Sequence, residues 1–401
     1  MSVDKHAVHR RSGWWTAAMP AVLAAVALSL SACGSSSSGG SSGGASGGSS
    51  TVAGTSAGSD PSGGSSSAAV SQANAAIQKA LAVPTKIQET ESVGRQSGKL
   101  IYNVSCNLAI VGCGEISGEV GDAVKALGDK FARCNAGATA TQAQSCFTNA
   151  VNAHAAAIVV NDVPEIGSGS GYRQAQSAHI PIVGAFSGNN LKGVPGQVTQ
   201  AAENAPQLEA KLLADYVIAK SGGKAHVLYI SENQDNDGVL RGKSFLAEMK
   251  KCTTCQVTTV LTNQNTQTTS APPQITAALQ KDQSINWVIG NQDTVSALAV
   301  TAIDQVGRQS SIEVGGMDAD PQNIQYIKQG RVQVVDATVG QGEVAYAAVW
   351  AAGRVIAGQK VPLATPVNIW LIDKSNVSSV PKSGVFFGPT NYQSQFGALF
   401  K

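Results

Sequence analysis

Ala225-His226-Val227-Leu228-Tyr229-Ile230, with Ser231-Glu232-Asn233 directly after it, opens the stretch that decides the fold. A near-continuous apolar run of this length predicts a strand covered on both faces, because a half-exposed strand would alternate with period two. Residues 238–250 then carry helical spacing. The alternation repeats as strand 256–261, helix 273–281, strand 285–289, helix 294–306, strand 311–316, helix 321–330, strand 332–338 and helix 343–356, and a long strand over 367–372 follows. Short apolar strands that each feed a helix predict parallel sheets with helices on both faces.

The pattern extends toward the N-terminus. Residues 99–105 read as a strand, and Ile116, Val120, Val124, Leu127 and Phe131 fall at helical spacing. Helix 142–154 precedes strand 155–160, and helix 172–179 precedes strand 180–185. A long helix over 207–220 places Leu208, Leu212, Leu213 and Val217 on one face. About ten strands exceed one comfortable sheet, which predicts an α/β chain of two doubly wound, Rossmann-like lobes of about 150 residues each. In such sheets ligands sit beyond the carboxyl ends of the strands. The residues there are polar: Ser105-Cys106-Asn107, Asn161-Asp162, Phe186-Ser187, Ser231-Glu232-Asn233 with Arg241 in the next helix, Asn291-Gln292-Asp293, Gly316-Met317-Asp318, and Asp336, Thr338 and Gln341.

The remainder of the 401-residue chain is a different material. Residues 1–33 read as an export signal, with Lys5, Arg10 and Arg11 ahead of an apolar run from Trp14 to Leu30. It ends in Leu30-Ser31-Ala32-Cys33-Gly34, which resembles a bacterial lipobox, so that Cys33 carries the acyl chains that anchor the chain on the outer face of the cell membrane. The Arg10-Arg11 pair leaves the general and twin-arginine export routes both open. Residues 34–68 are Gly, Ser, Ala and Thr almost throughout and read as a disordered leash, with a span of roughly 30–35 Å. A short helix over 71–81 and an extended segment fill 69–98. The charge balance, 28 Lys+Arg against 26 Asp+Glu, argues against nucleic-acid binding, which needs a basic patch.

Six cysteines remain: Cys106, Cys113, Cys134, Cys146, Cys252 and Cys255. An even number in an exported chain predicts disulfides, and near-neighbour pairing is the simplest of fifteen connectivities. Cys252-Thr253-Thr254-Cys255 also reads as a redox motif or half a zinc site, although no second pair at metal-ligand spacing accompanies it.

From residue 99 onward the order of elements resembles the type 1 periplasmic binding proteins, specifically the sugar-binding, ribose-binding-like branch of ABC importers. Four stretches carry the resemblance. Val239-Leu240-Arg241-Gly242-Lys243-Ser244-Phe245 is similar to an Arg-x-x-Gly-Phe segment, with one departure in spacing. Gly290-Asn291-Gln292-Asp293 is similar to an Asn-Asp turn, with Gln292 where Asn is usual. Gly316-Met317-Asp318-Ala319-Asp320-Pro321 resembles Gly-Phe-Asp-Gly-x-Pro. Gly330-Arg331-Val332 through Ala351 resembles a Gly-Lys-Leu strand and the helix that returns to the first lobe. Cys106 and Cys113 also resemble an actinobacterial subgroup with cysteines after its first strand. The resemblance implies a three-segment hinge near 187–194, 336–341 and 365–367, a first lobe of 99–190 plus 342–366 and a second of 191–341 plus 367–401. It implies a monomer that closes on a small polar ligand, a sugar above all, without cofactor or metal, and hands it to an ABC permease.

The candidate ligand contacts follow. Asp320 directly precedes Pro321 and reads as a helix cap, which leaves Asp318 free to bind. Asp293 likewise reads as a cap, which leaves Asn291 and Gln292. Arg241 is added by the resemblance. Asp336 and Gln341 compete for one position, and Asn107 and Asp162 represent the first lobe. Phe186 is the ring best placed to lie against the apolar face of a pyranose; Tyr172 is an alternative, and Trp287 inside a strand reads as core. Rival functions are an enzyme, a sensor that docks on a receptor kinase, and a carrier of an amino acid or nucleoside. No elbow motif, phosphate loop or metal cluster supports the first, and a leader in place of a helix-turn-helix argues against a repressor.

Overall fold

The computed structural model describes residues 61–94, 97–137, 139–163, 165–185, 196–201, 204–233, 236–263, 266–381 and 384–401. The export signal, Cys33, most of the linker, Phe186 and the hinge expectation over 187–194 lie outside the described residues.

The strands in chain order are β1 (Leu100–Ser105), β2 (Lys130–Asn135), β3 (Ala157–Asn161), β4 (Ile182–Ala185), β5 (Gln197–Ala201), β6 (His226–Ser231), β7 (Gln256–Leu261), β8 (Trp287–Gly290), β9 (Glu313–Met317), β10 (Gln333–Val339), β11 (Ala364–Thr365) and β12 (Ile369–Asp373). They form two six-stranded sheets, ordered β11-β5-β4-β3-β1-β2 and β12-β10-β9-β8-β6-β7. Every pairing is parallel except β10 with β12. The same winding is used twice: the first strand of each lobe sits between the second and the third. Each sheet therefore has its switch point there, between β1 and β3 and between β6 and β8.

The helices are α1 (Pro61–Ala80), α2 (Val111–Leu127), α3 (Ala140–Asn152), α4 (Glu165–Ser177), α5 (Ala205–Lys220), α6 (Asn236–Met249), α7 (Gln267–Lys281), α8 (Asp293–Gln305), α9 (Pro321–Gln329), α10 (Gln341–Ile356) and α11 (Tyr392–Leu399). Each sheet has an apolar cluster on either face. In the first lobe Val120, Val124 and Val349 fill one side, and Phe147, Ile158 and Tyr172 the other. In the second lobe Leu213, Tyr229 and Phe245 face one way, and Ile275, Val288 and Ile303 the other.

Several elements depart from the sequence expectation. Phe131 was expected to continue a helix, yet α2 ends at Gly128, whose left-handed φ of 90° caps it, and Phe131 belongs to β2. That edge strand, Lys-Phe-Ala-Arg-Cys-Asn, is too polar to stand out. On α5 the buried face is carried by Leu213, Ala214, Tyr216 and Val217 together with Glu209, while Leu208 is 43% exposed. Helix α1 starts at Pro61, inside the stretch that composition assigned to the linker. Ala69, Ala73 and Ile77 dock it on the second lobe, and a docked turn propagates helix through neutral Ser and Ala.

The crossing expected near 187–194 comes only after β5, because β5 pairs with β4 in the first sheet, so residues 197–201 belong to the first lobe and not to the second lobe assigned from 191 onward. The chain also passes between the lobes more often than the three crossings expected. Besides Gly340 and 366–368, the segment after α1 spans both lobes. The Leu81 carbonyl accepts from Asn376 Nδ2 at 2.8 Å in the second lobe, and the Glu91 carbonyl accepts from Trp350 Nε1 at 2.7 Å in the first. Helix α11 and the residue that follows it lay Phe396 and Phe400 into the first lobe's core beside Tyr346 and Val93, although residues 367–401 were assigned to the second lobe. Three disulfides join near neighbours: Cys106–Cys113, Cys134–Cys146 and Cys252–Cys255.

Candidate ligand-binding cleft

The carboxyl ends of β1, β3, β6, β8 and β9 face a cavity of about 230 Å³ lined from both lobes. The first lobe supplies Cys106, Ile110, Gly112, Cys113, Ile116, Asn161, Asp162 and Gln341; the second supplies Glu232, Asp237, Gly238, Arg241, Asn291, Gln292, Thr294, Asp318 and Asp320. Of the nine residues expected to contact a ligand, six are brought together here: Asp162, Arg241, Asn291, Gln292, Asp318 and Gln341.

Arg241 on α6 organises the second lobe's wall. It is buried, and its Nη2 donates to Asp318 Oδ1 at 2.5 Å and to Glu209 Oε2 at 2.7 Å, while Nη1 donates to the Asn291 carbonyl at 3.0 Å. Glu209 is fully buried, and its other oxygen accepts from the Val339 amide at 2.9 Å. Burial raises the Glu209 pKa to about 7 against the pull of the Arg241 guanidinium, and the Asp318 carboxylate adds to the rise. The guanidinium ties α5, α6, the end of β10 and the turn after β9 into one unit. Sequence reading missed Glu209; its signal was an acid four residues before Leu213, inside a helix's buried stripe.

The turn after β9 is held against its own preference. Asp318 has φ of 110° and Ala319 φ of 58°, conformations that residues other than glycine rarely adopt. Such strain persists where the surroundings over-determine it. Here Asp336 Oδ1 accepts from the Ala319 amide at 2.9 Å, Asp293 Oδ2 accepts from the Asp320 amide at 2.6 Å, and Thr338 Oγ1 donates to the Asp318 carbonyl at 3.1 Å. Asp293 and Asp336 are themselves buried and hydrogen-bonded to each other beside Gly316. Burial first, and then crowding by other carboxylates, pushes both pKa values well up, so the pair holds a proton. It sits best on Asp293, because Asp336 already accepts two N–H donors, from Ala319 and Gln333. Gly316 makes room: a Cβ there would stand 2.1 Å from Asp293 Oδ1 and 2.8 Å from Asp336 Oδ2.

Four expectations are corrected by this geometry. Asp336 does not line the cavity; both its oxygens are spent inside the protein on the turn that presents Asp318. Asp320 stands at the N-cap of α9 but its side chain makes no capping bond, and it lines the cleft instead. Asp318 is not free but paired with Arg241. Asn107 lies off the cavity and accepts from the Ala109 amide at 3.1 Å, closing its own loop. No aromatic side chain of the described residues lines the cavity. Tyr172 is core, its hydroxyl donating to the Val163 carbonyl at 2.7 Å, and Trp287 packs edge-on against Tyr216.

In the first lobe Asn161, rather than its neighbour alone, faces the cavity. Its Nδ2 donates to Ser105 Oγ at 3.1 Å and to the Cys113 carbonyl at 3.3 Å, which fixes the amide's orientation, and its Oδ1 has no partner. Asn291 Oδ1 and Gln341 Oε1 are likewise buried without partners. The amino ends of α2, α6 and α8 border the cavity, through Gly112 and Cys113, Asp237 and Gly238, and Thr294. Among the described residues, one group of metal-ligating types is close enough to hold an ion, Cys106, Cys113 and Asp162, but its two sulfurs are bonded to each other. Among the same residues no helix is long and apolar enough to cross a membrane.

Two doubly wound lobes with a polar cavity between their carboxyl ends define a periplasmic-binding-protein fold of type 1, a class that binds solutes. The sequence matches the periplasmic binding protein domain family over residues 115–360, and the chain belongs to that family. It is accordingly a binding protein and not an enzyme. Solved structures with the same fold include an ABC transporter solute-binding protein from Agrobacterium vitis with bound allitol (TM-score 0.63, 18% identity, 71% of this chain and 98% of that chain). A 5-methylthioribose transporter solute-binding protein from Thermotoga lettingae is similar over 80% of this chain and 99% of its own (TM-score 0.64, 17% identity). A glucose-galactose binding protein from Geobacillus stearothermophilus covers 70% of this chain and 99% of its own (TM-score 0.62, 16% identity). Comparison with curated protein sequences gives no match.

Proposed function

We propose that this protein captures a small hydroxyl-rich solute, a sugar or polyol, between its lobes and delivers it to an ABC import permease, while acyl chains on Cys33 moor it to the outer face of the cell membrane. The observation that carries the reading is the cavity between the two sheets. Its wall joins Arg241 to Asp318 and leaves the buried amide oxygens of Asn161 and Asn291 without partners. A buried acceptor left unpaired costs about 1–3 kcal/mol, so a ligand that donates to both recovers that cost on binding. Because Asn161 and Asn291 belong to opposite lobes, such a ligand favours the closed arrangement over the open one. The cavity, about 230 Å³, lies below the roughly 300–1,000 Å³ of drug-sized pockets and suits a single ring or short polyol. The proteins similar in fold bind allitol and 5-methylthioribose by their own descriptions, which supports the ligand class.

The test is a thermal-shift screen of the purified protein across sugars, polyols, amino acids and nucleosides, with calorimetry on each hit. A sugar or polyol that raises the melting temperature and is recovered chemically unchanged agrees with the reading. Stabilisation by an amino acid or nucleoside alone overturns the ligand class. Radiolabelled palmitate incorporated into wild type but not into Cys33→Ala tests the anchor.

A further inference from the structure

Several of the described passages between the lobes meet at one side chain. Asn368 stands in the passage from β11 to β12. Its Nδ2 donates to Glu343 Oε1 at 2.7 Å, at the start of α10, and to the Lys86 carbonyl at 2.9 Å, on the strap that follows α1. Its Oδ1 accepts from Gln88 Nε2 at 2.9 Å, on the same strap, and its backbone amide donates to Glu343 Oε2 at 3.2 Å. Both donors of the side-chain amide are thus spent on other segments. Glu343 has no exposure to water and carries the connection on, its amide donating to the Phe387 carbonyl at 2.8 Å in the passage that leads to α11. There Gly340 and Gly388 approach backbone to backbone, since a Cβ at Gly340 would stand 2.5 Å from Gly388 Cα. The strap is fastened to α11 as well: Gln395 Oε1 accepts from the Ile87 amide at 3.2 Å, and Gln395 Nε2 donates to the Thr85 carbonyl at 3.1 Å.

A hinge opens by turning φ and ψ at a few residues where each passage leaves its lobe. Separate passages turn independently, whereas passages bonded to one another turn together or break the bonds between them. We propose that Asn368 is a positioning residue of the hinge: by tying the strap and the β12 passage to the start of α10, it limits how far the lobes part before a solute arrives. Asn368 does not line the cavity, so it acts on binding only through the placement of the two walls. Walls held near their binding positions leave less closure for the solute to drive, which raises its apparent affinity. Holding the fold alone accounts poorly for this arrangement, because Lys86 and Gln88 are exposed and hydrogen bonds at such positions add little to folding stability.

The lobe separation of the full-length, solute-free protein tests this. Nitroxide labels at Thr141→Cys and Thr268→Cys, in a Cys33→Ala background, report it by pulsed electron–electron resonance. Both positions are exposed and lie in the first turn of a helix that follows an edge strand, α3 after β2 and α7 after β7, on opposite lobes. Asn368→Ala should lengthen the mean distance by more than about 2 Å and broaden its distribution. Gln88→Ala, which cuts only the exposed bond from the strap, should move it part of the way. A lower melting temperature with the distances of the parent protein would show that these bonds serve the fold alone, and overturns the inference. If Asn368→Ala does not fold, Gln88→Ala decides by the same criterion. No solute is needed, so the outcome is independent of the sugar reading.

Discussion

Arg241 shows how one side chain serves fold and site together. Its partner Glu209 has no exposure to water, so removing the guanidinium strands a buried carboxylate. Breaking a buried pair from one side costs about 3–5 kcal/mol. Arg241→Met should therefore lower unfolding stability by that order in urea titrations, besides abolishing ligand capture. Asp318 differs, because its side chain is 27% exposed at the cleft. Asp318→Ala should keep most of the stability yet weaken binding of whichever solute the screen identifies by tenfold or more in calorimetry. Full affinity in that variant would show that the ligand does not use this carboxylate. The two residues stood out in the sequence for different reasons, Asp318 from its place after a strand and Arg241 from a family-like segment. Neither reason revealed that they touch, 77 positions apart.

The turn between β9 and α9 carries the next argument. It is strained at Asp318 and Ala319 and is held by carboxyl groups from α8 and β10. Gly316→Ala would drive a methyl into that carboxyl pair, so we expect a loss of about 1–3 kcal/mol, the range for overpacking, together with weaker ligand binding as Asp318 shifts. Gly118, midway along α2, has nothing within 4 Å of where its Cβ would stand. Gly118→Ala should raise stability by about 0.5–1 kcal/mol in the same assay and leave affinity unchanged. An equal loss in both variants would mean that glycine flexibility, rather than room for the carboxyls, is what position 316 needs. Periodicity marked β9 and α9 but could not show this device. Asp293 and Asp336 read as a cap and a ligand contact, and their true work depends on each other.

Several carboxyl groups across the molecule are buried near the passages between lobes, and they set its response to pH. Burial raises Glu343, at the start of α10, to about 8, even though Asn368 donates to it from the β11–β12 passage, and raises Glu89 on the N-terminal strap to about 7. A folded pKa above the unfolded one means that the native state holds protons the unfolded state has released. Each such group then costs about 1.4 kcal/mol of stability per pH unit between the two pKa values. The melting temperature should fall as pH rises from about 5 to 8, and Glu343→Gln should flatten that slope. A melting temperature that climbs through this window would show that Glu343 and Glu89 are ionised in the native protein.

Strand and helix order, the two lobes and the polar strand ends were legible along the chain, because backbone periodicity and the burial of short apolar runs are local properties that each segment declares alone. Six of nine candidate contacts reached the cleft for the same reason: the carboxyl end of a parallel strand points there whatever follows it. Which polar group then faces a ligand was settled only by packing. Asp336 was drawn inward by Asp293, Asp320 was released outward, Glu209 was recruited from a helix that looked apolar, and the C-terminal helix crossed to the other lobe. A buried charge must find its partner through space, and no rule of spacing along the sequence says where that partner lies.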